Sequence, residues 1–95
     1  MEFEWDHGKA VDNLRKHGVS LHEGATVFDD PLSFTYPDPA HSTQEARYLT
    51  MGVSGLGRVL VVAHTDRGGW VRIINARAAT RKERRFYEEG DPIGQ

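Results

Sequence analysis

The stretch WVRIINARAATRKERRFYEE, residues 70–89, changes its periodicity once, and that change decides the fold. Val71, Ile73 and Ile74 make a β-branched apolar run that reads as a strand. At Ala76-Arg77-Ala78-Ala79 the pattern turns over, and Thr80 with Glu83 three residues on forms a capping box that opens a helix. Only Phe86 and Tyr87 are large apolar residues there. Six basic residues (Arg72, Arg77, Arg81, Lys82, Arg84 and Arg85) fall within fourteen positions, against the single acid Glu83. Such a run suits a solvated helix with ion pairs at Arg84–Glu88 and Arg85–Glu89. It equally suits a phosphate-binding face, because guanidinium offers a planar fork of donors. Arg77, set among small alanines at the strand-to-helix junction, favours the second reading.

Working back from that stretch, turn signals divide the chain. Asp66-Arg67-Gly68-Gly69 is a hairpin turn into the last strand, and Arg58 to His64, apolar on both faces, should be a central strand. Ser54 to Gly57 is a second hairpin turn, preceded by a strand from Arg47 to Gly52. Residues 37–43 read as an exposed loop, and Ser33 to Tyr36 as a strand. Before these lie a helix over Leu21 to Phe28, opened by Ser20 and Glu23 as a capping box and ended at Asp29-Asp30-Pro31. An earlier helix spans about Gly8 to Lys16, capped by Asp6, stopped by Gly18, with Ala10, Val11 and Leu14 inward. Phe3-Glu4-Trp5 is a short first strand, and residues 90–95 read as a frayed tail. The order β-α-α-β-β-β-β-α predicts one α+β domain over residues 1–95. Its sheet should be antiparallel, of four to five strands, with two N-terminal helices and a C-terminal helix.

Composition narrows the chemistry. Ninety-five residues, 38% hydrophobic and 27% charged, make one modest globular core. There is no cysteine, which removes disulfides, thiolate metal sites and a cysteine nucleophile. Five scattered histidines show no metal-ligand spacing, and neither a phosphate loop nor a serine-hydrolase elbow is present. No cofactor is expected. The longest apolar run, Val59 to Ala63, cannot span a bilayer, and no leader-like segment opens the chain, so a cytoplasmic protein is expected. Net charge is -2, but residues 1–45 carry -6 and residues 46–95 carry +4. The second half can therefore face an anion such as RNA.

Cleaving RNA needs no metal and no enzyme nucleophile, because the 2′-OH attacks the phosphorus. The protein supplies a base, an acid and cations for the phosphorane. His17, His64, Glu45, Arg47, Arg77, Arg84 and Tyr87 provide those types. Each has a plainer reading. His17 could be a helix C-terminal cap, His64 a structural group ending a strand, Tyr87 a packing residue, and Arg47 an edge-strand gatekeeper beside Glu45.

Taken together, FEWD at 3–6, Lys9 and Asn13, KHGVS at 16–20, VFDDP at 27–31, EARYLTMG at 45–52, RVLVVAHT at 58–65 and RIINARAATRKERRFYEE at 72–89 resemble the BrnT toxins of type II toxin–antitoxin pairs. Asn75 stands where that family usually has Ser, and His22 where it has an acidic or polar residue. The resemblance implies a RelE-like fold and a metal-independent ribonuclease that arrests growth. It also implies a ribbon-helix-helix antitoxin partner, assembling as a heterotetramer that represses its own operon by contacting operator DNA through the antitoxin. It carries Arg47, Arg77, Arg84 and Tyr87 into the site. The residue reading adds His17 and Glu45, with Lys9, Lys16, Arg72 and Arg81 guiding RNA. In this expectation Arg77 stabilises the phosphorane, Arg47 or Arg84 orients the phosphate, and His17 or Tyr87 moves a proton. Glu45 acts as base or orients Arg47. The rival reading is a non-catalytic binding module or co-repressor partner.

Overall fold

The computed structural model describes residues 1–90; the tail expected at 90–95 lies, beyond Gly90, outside the described residues. The chain runs β1 (Glu2–Glu4), α1 (His7–His17), α2 (Leu21–Thr26), β2 (Phe34–Pro37), β3 (Tyr48–Val53), β4 (Val59–Arg67), β5 (Trp70–Ala78) and α3 (Arg81–Glu89). Single 3-10 turns occupy Val27–Asp29 and Pro39–His41. The expected order of elements is present, in an α+β fold. The expected antiparallel sheet is not: strand order is β1-β5-β4-β3-β2, and β1 lies parallel to β5. Short turns force β3, β4 and β5 to alternate direction. β1 reaches the sheet from the far end of the sequence and is free of that constraint. Its place is set by Phe3, which pairs with Val71 and packs against the core.

α1 and α2 cover one face of the sheet. Leu60, Val62, Val71, Ile73 and Ala76 meet Val19, Leu21 and Val27 there, with Phe3, Trp5, Ala10, Ala25 and Phe28 packed around them. Each fully buried Leu, Ile or Val stabilises the fold by roughly 1.5–3 kcal/mol. Gly24 lets α2 approach, since a Cβ there would sit 3.0 Å from the Ala76 Cβ. Among the described residues no helix is long and apolar enough to cross a membrane.

Three expectations about the helices are corrected. Val11 and Leu14 are 50% and 54% exposed, and the buried residue of α1 is Asn13. β1 is too short to pair with β5 beyond Arg72, so the outer edge of β5 is open at Ala76. The Asn13 carboxamide fills that gap, donating to the Ala76 carbonyl (2.8 Å) and accepting from its N–H (3.1 Å), as a neighbouring strand would. The second helix stops at Thr26, not Phe28, and tightens into the 3-10 turn. Ser20 caps it by accepting from the Glu23 N–H, but the Glu23 side chain does not reciprocate. It turns inward to Arg58 (2.7 and 2.8 Å) and Ser54 (2.7 Å), and Arg58 also donates to the Gly18 carbonyl. Arg58 holds the Glu23 carboxyl below its usual range, against the opposing effect of burial.

Candidate nucleic-acid interface

A break in alternation builds the second face of the sheet. Ala63 pairs with Asn75 and His64 with Ile73, leaving Ile74 as the extra residue of a β-bulge. Val71 and Ile73 point to the helices, and strict alternation would send Arg77 there too. The bulge shifts parity, so Ala76 is buried in the core instead and Arg77 emerges on the other face with Arg72. Register across the sheet then groups the side chains of that face. Arg77 shares a row with Val61, Met51 and Phe34; Asn75 shares one with Ala63, Leu49 and Tyr36; Arg72 pairs with Thr65. Arg67, two residues after Thr65, follows on the same face.

At the end where β3 begins and β4 ends, the Glu45 carboxylate sits among three arginines. Glu45 accepts from Arg67 at 3.0 Å, and its carboxyl is held below the usual range by that hydrogen bond and by the charges of Arg67, Arg47 and Arg72. Arg72 is 3.8 Å from Glu4. Glu45 was expected to act as base or to orient Arg47; in the structure its ion pair is with Arg67. Arg67 was hidden from sequence reading inside a hairpin turn. β4 runs on to Arg67 before Gly68 and Gly69 turn the chain at positive φ.

Arg77 occupies the other end, beside α3. Its two Nη atoms are 2.7 and 3.0 Å from the Glu83 carboxylate, which also accepts from the Thr80 N–H at 2.8 Å. Both halves of the expected capping box are present. The Arg77 pairing, opposed by burial and helped by Thr80, lowers the Glu83 pKa to about 2. Arg77 is thus a staple between β5 and α3 as well as a surface cation.

α3 closes over the β2 side of this face and leaves a groove of about 930 Å3 whose walls include Leu32, Phe34, Tyr36, Met51, Phe86 and Tyr87. Phe34 and Phe86 pack with ring centroids 5.5 Å apart. The Tyr87 hydroxyl donates to Asp30, which also accepts from the backbone N–H groups of Val53 (2.8 Å) and Leu32 (2.9 Å). Burial and the Asp30 carboxylate push Tyr87 up to about 12, so its proton is firmly held. Asp30 is a latch for α3 as well as the residue before a proline. Arg81 and Arg84 are exposed on α3, and Arg85 lies 3.8 Å from Glu89. The other expected helix pair, Arg84 with Glu88, does not form.

The remaining candidates are elsewhere. α1 lies on the helix-covered face, so the exposed Lys9, Lys16 and His17 are not brought to the arginines. His64 is buried between the rings of Phe28 and Tyr48, with Nε2 2.8 Å from the Thr50 hydroxyl. Burial lowers its pKa, which keeps it neutral, as a structural group should be. Among the described residues no three His, Asp or Glu side chains gather to hold a metal ion.

Fold and site together define a small α+β protein with a helix-packed face and a cationic sheet face flanked by its C-terminal helix. Residues 5–83 match the family described as "Ribonuclease toxin, BrnT, of type II toxin-antitoxin system", and the chain belongs to that family. The fold is similar to the crystal structure of the Brucella abortus ribonuclease toxin BrnT, with a TM-score of 0.66 and 20% identity, covering 85% of this chain and 99% of that one. No curated protein matches. Membership implies an RNA substrate and an antitoxin partner.

Proposed function

We propose that the chain is a metal-independent endoribonuclease that cuts RNA on its open sheet face and arrests growth in the cytoplasm. In this reading it is neutralised by a ribbon-helix-helix antitoxin, in a heterotetramer that represses its own operon, and its ancestry is RelE-like. One observation supports the catalytic part: Arg67 of β4, Arg72 of β5 and Arg47, just before β3, gather around Glu45, with Glu4 3.8 Å from Arg72. Three guanidinium groups against the two carboxylates Glu45 and Glu4 leave an excess of one positive charge. A phosphodiester that is gaining charge in its transition state fits that excess.

The scissile phosphate then sits at the Glu45 end, with Arg47 and Arg72 on its non-bridging oxygens. Arg67 is released from Glu45 or shared with it. Arg77 lies four residues along the sheet from the Arg47 row, about 13 Å at strand rise, close to the span of two backbone phosphates. It serves the phosphate two steps along the backbone and steadies the phosphorane indirectly, and Arg84 and Arg81 extend the track along α3. Tyr87 holds α3 in place. Lys9, Lys16 and His17 contribute only long-range attraction from the opposite side.

The test is incubation of purified protein with single-stranded RNA and a 2′-deoxy control, in EDTA. Cleavage of the RNA alone supports the nuclease; intact RNA at confirmed folding favours the binding-module reading.

A further inference from the structure

The geometry points to His41, oriented by Asp38, as the residue that takes the proton from the attacking 2′-OH. This rests on the nuclease reading above and adds to it a catalytic residue for the same site. His41 ends the 3-10 turn Pro39–His41, and its Nδ1 lies 2.9 Å from Asp38 Oδ2. A carboxylate can only accept, so Nδ1 carries the hydrogen and the Nε2 lone pair is left for a base. No hydrogen bond among the described residues engages Nε2. The Asp38 side chain is only 17% exposed, whereas His41 is 66% exposed, so a sheltered carboxylate orients an imidazole that solvent and substrate can reach.

The turn is also tied to the arginine cluster. Asp38 N–H donates to the Arg47 carbonyl (2.9 Å), Arg47 N–H donates to the Ser42 hydroxyl (2.9 Å), and that hydroxyl donates to the Asp38 carbonyl (2.7 Å). These bonds close the base of the loop and hold the turn that carries His41 against the Arg47 backbone. The result is a small cleft of about 110 Å3 lined by His41, Thr43, Gln44, Glu45 and Arg47. The charged groups facing His41 are Asp38 on its own turn, and Glu45 and Arg47 across the cleft.

In the step assigned here the 2′-OH proton passes to His41 Nε2 as the 2′ oxygen bonds to phosphorus. The bond from phosphorus to the 5′ oxygen breaks, and that oxygen takes a proton from water. The products are a 2′,3′-cyclic phosphate and a 5′-OH, and the imidazolium returns its proton to solvent.

The experiment is steady-state cleavage of a single-stranded RNA oligonucleotide from pH 5 to 9 by wild type, His41→Gln and Asp38→Asn, with folding checked by circular dichroism. His41→Gln should lower kcat by about 10²- to 10⁴-fold with KM little changed, and abolish the rising acid limb of the profile. Asp38→Asn should lower kcat less, about tenfold, and move that limb, because a purely structural loop role would leave the profile in place. Wild-type cleavage with His41→Gln equal to it, limb intact, overturns the role of His41 while the nuclease reading stands. Wild type that leaves RNA intact overturns the nuclease reading, and this role with it.

Discussion

Replacing Glu83 by Gln separates the two jobs of the Arg77 end. In the folded chain the Glu83 carboxyl titrates at about 2, against an ordinary 4.5. That gap, at ~1.4 kcal/mol for each pH unit, caps the contribution of the ion pair at about 3.5 kcal/mol. The side chains of Arg77 and Glu83 are 36% and 25% exposed, so solvent screening reduces the figure to about 1–2 kcal/mol. A carboxyl depressed by folding stabilises the protein fully above its unfolded pKa of 4.5 and loses that contribution as pH falls toward about 2. The Gln variant keeps an acceptor for the Thr80 N–H but lacks the charge. Thermal melts at pH 7 should therefore fall by about 5–15 °C for a domain of this size. The difference between wild type and variant should shrink steadily between pH 4.5 and 2. A variant that melts within about 1 °C of wild type at pH 7, with no pH-dependent difference, refutes the stapling argument.

The other predictions follow from the same contacts. Arg58→Met leaves the Glu23 carboxylate without its cation and should lower the midpoint of urea unfolding with the slope unchanged; an unmoved midpoint would contradict this role. Tyr87→Phe removes the bond to Asp30 and should cost about 1 kcal/mol while RNA cleavage stays near wild type; a collapse of cleavage in a folded variant would return Tyr87 to the chemistry. Arg47→Ala should lower cleavage by about 10²-fold or more without lowering the melting temperature. RNA affinity should fall with salt on a log–log slope of about -2, as expected for three phosphate contacts at ~0.7 each, and Arg72→Ala should make it shallower by about 0.7.

Most of the element order was legible because its signals are local: the Thr80–Glu83 capping box, Gly18 at the end of α1, and the apolar run of β4. What escaped was long-range or compensated. Nothing near Phe3 announces a parallel partner almost seventy residues away at Val71. Val11 and Leu14 carry the right periodicity for a buried stripe. Asn13 overrides them, because its carboxamide satisfies the open edge of β5 at Ala76 and so fixes which side of α1 turns inward. Glu23 looked like a local cap partner, and its charge went instead to Arg58, thirty-five residues on. The arginines were legible as a class, but their grouping depends on the bulge at Ile74, which no periodicity count reveals. Arg67 looked like part of a turn, and its pairing with Glu45 appears only once β4 is seen to extend past His64.

The central claim is that the arginines around Glu45 bind and cleave RNA without a metal. The most direct measurement is cleavage of a single-stranded RNA oligonucleotide in EDTA by purified wild type and by Arg47→Ala, with melting curves recorded for both. Wild type should release fragments ending in 2′,3′-cyclic phosphate, and the variant, melting as wild type does, should cleave at least about a hundredfold more slowly. Equal cleavage by the two folded proteins, or none by wild type until a metal is added, would contradict it.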